Sequence, residues 1–178
     1  RMMRFRDDLA DLLPKAAALK RRLSDRGYML TGEEPLKVTV CPKSFGYTGT
    51  EIAAVLEKSG VFPEFYDPDH VVLMLSPWNS DDDLVRLEQT LCSIPQRTPI
   101  ILTPQPVPHP VRVMTPRQAL FAVSERIPLE DCCGRISAAA AISCPPAIPL
   151  VVCGERIDQQ VIACLRYYGV SACMVIQE

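Results

Sequence analysis

The chain has 178 residues, 48% of them hydrophobic, with 19 basic against 21 acidic side chains and a formal charge of -2. That length suits one domain or two small ones able to bury roughly 70% of their unfolded surface, and the composition excludes a disordered or fibrous chain. The interspersed, near-neutral charge argues against nucleic acid and anionic lipid as partners, and no apolar run reaches the roughly 20 residues that span a bilayer.

The opening residues enter a helical pattern at once. Phe5, Leu9, Leu12, Leu13, Ala16, Leu19 and Leu23 recur at helical spacing with charges between them, so a helix is expected, kinked or divided at Pro14 and stopped by Gly27. Arg1 precedes Met2 and Met3 with no lead-in, which suggests that the chain begins inside a longer polypeptide. Arg1 to Arg26 is charged throughout, unlike a signal peptide, and the chain reads as cytoplasmic.

Leu36 to Cys41 alternates as a strand. Gly46-Tyr-Thr-Gly49 turns into a helix whose Thr48 and Glu51 have capping-box spacing, with Ile52, Val55 and Leu56 inward and Gly60 at its end. Val71 to Leu75 is an apolar run of strand length. Ser80-Asp-Asp-Asp83 then opens a helix carrying Leu84, Leu87 and Leu91 and ending before Pro95. This alternation predicts a small mixed-sheet α/β domain.

Six prolines between Pro95 and Pro110 predict a stiff, extended connector, with room for a short strand at Ile100 to Leu102. A boundary is expected near residues 103 to 110. Thr115-Pro116-Arg-Gln118 has the cap, first-turn proline and third-position glutamine of a helix start. Residues 135 to 142 and 150 to 153 read as strand or loop around Pro145-Pro146. Asp158 to Tyr168 reads as a helix with Val161, Ile162 and Leu165 inward, and Ala172 to Ile176 as a last strand. The second domain is therefore a small α+β unit.

Candidate chemistry is sparse. The eight cysteines lack any Cys-x-x-Cys pair and have only His70 and His109 to join them, so no metal site is predicted and buried, reduced thiols are expected. His109 lies between two prolines in the connector and reads as a solvated loop residue. His70 follows Asp67 and Asp69 and reads as a strand-end cap or surface pair rather than a base. Glu64, Asp67 and Asp69 bracket Tyr66 in an expected turn. Gly46 to Gly49 lacks the lysine and glycine spacing of a P-loop. Asp81, Asp82 and Asp83 diverge around a helix and fit its dipole better than a metal. Glu155, directly after Gly154 and an apolar strand, is a loop carboxylate of the kind that can hold a cationic substrate amine; a salt bridge with Arg156 or another arginine is the reading the residues favour over it.

Three ordered segments carry a family resemblance: Thr115-Pro-Arg-Gln-Ala-Leu-Phe121, Ile127-Pro-Leu-Glu130 with Gly134-Arg-Ile-Ser-Ala138, and Cys144-Pro-Pro-Ala-Ile-Pro149 with Cys153-Gly-Glu155. They resemble the C-terminal region of bacterial Orn/Lys/Arg decarboxylases, pyridoxal-phosphate enzymes of fold type I, aspartate aminotransferase-like, that serve polyamine biosynthesis. Gly46-Tyr-Thr-Gly49 and Pro63-Glu-Phe-Tyr-Asp67 are similar to that family's small domain. Cys144, Ala147 and Cys153 depart from its usual tyrosine, glycine and proline.

The resemblance implies residues 1–27 as a helix leading from a large domain, 28–103 as an aminotransferase-like small domain and 104–178 as the decarboxylase C-terminal domain. It implies a lyase acting on arginine, lysine or ornithine, with pyridoxal 5'-phosphate held by the large domain and a homodimer or higher oligomer as the assembly. The aldimine lysine is expected outside this chain, because Lys15, Lys20, Lys37, Lys43 and Lys58 all lack the family's Ser-x-His-Lys context. No catalytic residue is therefore placed here; Glu155 is the substrate-entrance candidate. The segment Ile127 to Ile136 followed by Pro145-Pro146 also resembles molybdopterin-insertion proteins, and a non-catalytic regulatory or assembly module is a third reading.

Overall fold

The computed structural model describes residues 5–144 and 148–177. The expected Pro145-Pro146 turn and Ala147 lie outside the described residues, as do Arg1 to Arg4. The chain divides into two compact units, Arg1–Leu102 and Thr103–Glu178.

The first unit is built around α1 (Phe5–Asp25), whose Leu12, Ala16, Leu19 and Leu23 form a single buried stripe. Pro14 does not divide it. Pro14 and Ala10 are both exposed, so the carbonyl deprived of its amide partner is left to water rather than stranded in the core. Gly27, at a φ of 107°, turns the chain out of the helix.

The strands β1 (Met29–Thr31), β2 (Lys37–Cys41), β3 (Phe65–Tyr66) and β4 (Val71–Met74) form a sheet in the order β1-β2-β4-β3. Helices α2 (Gly49–Lys58) and α3 (Asp81–Ser93) complete the unit. The α/β class holds, but every pairing in the sheet is antiparallel, not mixed. The cause is β3, which falls where the sequence predicts only a turn. A direct β2–α2–β4 crossover would make β4 parallel to β2. The short hairpin from β3 reverses the chain once more, and β4 returns antiparallel.

Both helix starts are fixed by side chains. Thr48 and Glu51 close a capping box on α2, and Ser80 and Asp83 close another on α3; each cap is worth about 1 kcal/mol. The core joins the α1 stripe to Val38, Val40, Val71 and Leu73 from the sheet, Ile52 and Leu56 from α2, and Leu84, Leu87 and Leu91 from α3. Tyr28 stacks on Phe45 at 4.2 Å and donates to the Leu91 carbonyl at 2.9 Å. Burial pushes the Tyr28 phenol well above its ordinary range, keeping it a donor. Residues 100–102 form no strand: Ile101 is 90% exposed, and an apolar run with no sheet edge to join gains nothing from being extended.

In the second unit, α4 (Pro116–Phe121) starts at the expected Thr115–Gln118 box. Strand β5 (Ser124–Pro128) pairs antiparallel with β8 (Ala172–Ile176), and β6 (Ala141–Cys144) with β7 (Ile148–Val152). Helix α5 (Gln159–Tyr167), capped by Asp158, packs Val161, Ile162 and Leu165 onto Leu129, Leu150, Ile157 and Val175. Cys132, Cys153, Cys164 and Cys173 are buried thiols, as expected, whereas Cys133 is exposed.

Candidate functional site

The second unit brings the strand–turn–strand segment around Glu155 against the proline-rich residues 107–110. Gly154 has a φ of 87°, a conformation that only glycine adopts without cost. Its amide donates to Ser137 O at 2.8 Å, and its carbonyl accepts from Val113 N at 2.8 Å and Met114 N at 3.2 Å. A side chain at this position would collide with the Met114 carbonyl. Backbone is thus packed on backbone from both sides, and this fixes the direction in which Glu155 leaves the chain.

The carboxylate itself is anchored. Glu155 Oε2 accepts from Val152 N at 2.9 Å, while Glu155 N donates to Val152 O at 3.2 Å. No ion pair with Arg156 forms; Arg156 is exposed and its amide is bonded to Val111 O. Glu155 lines an open depression of about 340 Å³ together with Pro108, His109, Pro149, Leu150 and Val152. Pro108 and Leu150 are buried, His109 is exposed. An oriented carboxylate beside proline and aliphatic walls suits one ligand chemistry: an ammonium or guanidinium group carried on an alkyl chain.

Ser137, whose amide donates to Glu155 O at 2.9 Å, is fully buried, and its Oγ has no partner among the described residues. The sequence carried no signal for this. Ser137 was visible only as part of the Gly134-Arg-Ile-Ser-Ala138 motif, not as a buried hydroxyl.

The other candidates take structural roles. Thr48 and Glu51 occupy the α2 start with their capping box, so the Gly46–Gly49 turn presents no anion cradle. Asp83 caps α3, while Asp81 pairs with Lys15 at 2.8 Å. Glu64 is exposed, whereas Asp67 and Asp69 are buried in the bend between β3 and β4. Among the described residues no group of three or more His, Cys, Asp or Glu side chains is placed to hold a metal ion.

The lysines do not fit a pyridoxal-phosphate site. Lys15, Lys37 and Lys43 are each engaged by a carboxylate. Lys20 donates to the Glu34 carbonyl, and Lys58 is exposed at a helix end. The residues present supply no lysine free in a pocket to bond the cofactor.

The fold is that of known lysine decarboxylases. Lysine decarboxylase A from Pseudomonas aeruginosa superposes with a TM-score of 0.69 at 12% identity, covering 97% of this chain and 40% of that one. The E. coli constitutive lysine decarboxylase superposes with a TM-score of 0.65 at 15% identity, over 96% of this chain and 41% of that one. Sequence narrows the class. Residues 100–174 match the Orn/Lys/Arg decarboxylase, C-terminal domain. An arginine decarboxylase of Bacillus subtilis (strain 168) is 32% identical over 138 residues, which are 71% of this chain and 27% of that protein.

Residues 100–174 therefore belong to the Orn/Lys/Arg decarboxylase C-terminal domain family, and the chain corresponds to the C-terminal part of such a decarboxylase. That match includes Ile127 to Ile136, the segment that also resembles molybdopterin-insertion proteins, and assigns it to the decarboxylases. The chain spans only about a quarter of the curated relative's length (27%). Among the described residues no helix is long and apolar enough to cross a membrane.

Proposed function

We propose that this chain serves a pyridoxal-phosphate-dependent decarboxylase of a basic amino acid, arginine, lysine or ornithine, in polyamine metabolism. In this reading the cofactor is held by a large domain outside these residues, where it withdraws electrons from the substrate's α-carbon. Residues 28–103 act as the aminotransferase-like small domain, with α1 leading into it, and 104–178 as the C-terminal domain. Together they contribute domain closure, oligomer contacts and the substrate entrance.

The observation that supports this most directly is the anchored Glu155 carboxylate within a segment matched to the decarboxylase C-terminal domain. Its tethered oxygen holds it in place, leaving the carboxylate able to meet an ammonium or guanidinium group on its way to the cofactor. The apolar walls would lie along the alkyl chain.

Two measurements test the reading. The isolated chain, given pyridoxal phosphate and each of the three amino acids, is expected to release no carbon dioxide; turnover by the pure chain would refute the assignment of the cofactor site elsewhere. In the full-length product of the natural reading frame, Glu155→Gln is expected to raise KM for the basic amino acid while leaving kcat near its wild-type value. A full-length protein that decarboxylates none of the three would overturn the function, and an unchanged KM would overturn the role of Glu155.

A further inference from the structure

Between Pro95 and Pro110 the chain is tied first to one unit and then to the other, with three residues between the ties. On the near side, Arg97 N donates to Phe45 O at 3.1 Å and Ile100 N to Lys43 O at 2.9 Å. The Lys43 ammonium also donates to Leu102 O at 2.7 Å. Lys43 is itself fixed, paired at 2.6 Å with Asp69, and the two side chains are only 13% and 9% exposed. Arg97 lies over the Tyr47 ring at 4.1 Å. Residues 97–102 are therefore held by the turn that follows β2 and belong to the first unit.

The far side begins at Pro106, whose carbonyl accepts from the buried Cys164 thiol of α5 at 3.2 Å. Pro108 is buried, Arg156 N donates to Val111 O at 2.9 Å, and Arg112 bridges to Glu155. Thr103, Pro104 and Gln105 remain. All three are exposed, and among the described residues none of them makes a hydrogen bond. A solvated backbone with no bond to break is the part of a chain that turns at least cost.

We propose that Thr103–Gln105 is a hinge about which the two units reorient, and that the Glu155 depression moves with the second unit as one body. The hinge is stiff as well as short. Pro104 and Pro106 hold φ near about -65° and bias Thr103 and Gln105 to extended backbone. The segment thus stays extended, at about 3.1 Å per residue, and turns chiefly through the ψ of Pro104. The proline wall of the depression, Val107 to Pro110, lies beyond the hinge. It is tied through Pro106 to α5 and through Val111 and Arg112 to Arg156 and Glu155. Turning at the hinge therefore does not part the wall from the carboxylate. On the reading of Glu155 as a substrate-entrance residue, the entrance is swung as a finished site; the hinge itself stands without that reading.

The test is residual dipolar coupling combined with 15N relaxation on the 178-residue chain. Amides of the first unit and of the second are expected to require two alignment tensors that differ in magnitude. Order parameters are expected to fall below about 0.6 at Thr103 and Gln105 and to stay near about 0.85 at Ile100, Val113 and Met114. Cys164→Ala removes the tie to Pro106 without touching the first unit, and the low values are expected to spread to Val107. A variant that lost its fold would show collapsed amide dispersion in the second unit, and the wild-type couplings then decide alone. One tensor fitting both units, or Thr103 and Gln105 as rigid as Ile100, would overturn the hinge. An unaltered Val107 in a folded Cys164→Ala chain would overturn Pro106 as its far end.

Discussion

Replacing Gly154 by alanine separates backbone strain from backbone collision, because the second unit contains a matched control. Gly154 and Gly134 have nearly identical φ values, 87° and 85°. Either alanine variant therefore carries the same left-handed penalty, about 1–2 kcal/mol. They differ in surroundings. Nothing lies within 4 Å of a Cβ at Gly134, whereas at Gly154 it meets the Met114 carbonyl. That carbonyl cannot retreat freely, since Val113 N and Met114 N are both bonded to Gly154 O. Relief of the collision would strain or break these two bonds, each worth about 0.5–1.5 kcal/mol net. Gly154→Ala is thus expected to cost about 1–3 kcal/mol more than Gly134→Ala. Amide hydrogen exchange followed by mass spectrometry reads this directly, as lost protection in peptides from 148–177 with the first unit as an internal reference. Equal losses in the two variants would refute the packing argument and leave only the φ penalty.

Two further outcomes concern the half-buried His70 and the buried Ser137. His70 is raised from 6.5 to about 10, chiefly by the buried Asp67 carboxylate 3.5 Å from its Nδ1; its stabilising contribution is therefore complete below about pH 6.5 and is lost as pH rises through about 10. The wild-type melting temperature should fall over that window more than that of His70→Gln, and parallel pH profiles would contradict the pairing. Ser137→Ala removes a buried hydroxyl that has no partner among the described residues, so urea unfolding should show stability unchanged or raised by about 1 kcal/mol. A clear loss would mean that the hydroxyl is satisfied.

What was legible in the sequence was local. Thr48 with Glu51 and Thr115 with Gln118 announce helix starts because a cap is decided within four residues, and both form. The stripe from Leu12 to Leu23 predicts the buried face of α1. The misses are short or exposed strands. β1 is largely exposed and β5 alternates between exposed and half-buried positions, so neither shows an apolar run. β3 has two residues, too few for any periodicity, yet it decides the direction of β4. Glu155 was singled out because a glycine precedes it at a strand end. Its anchoring by Val152 depends on a turn geometry that no local pattern reports.

The pairing of β5 with β8 has a consequence for how the second unit comes into being. Ser124 faces Ile176 and Pro128 faces Ala172, so β5 has no ladder partner until everything from Leu129 to Ser171 has been made and brought round. The first unit's sheet needs nothing beyond Met74. During synthesis the first unit can therefore settle early, while β5 leaves the ribosome as an unpaired edge. Loop closure across that span makes its pairing a late and slow event. Interruption of translation within α5 would yield a product with a finished first half and an open, association-prone strand in the second.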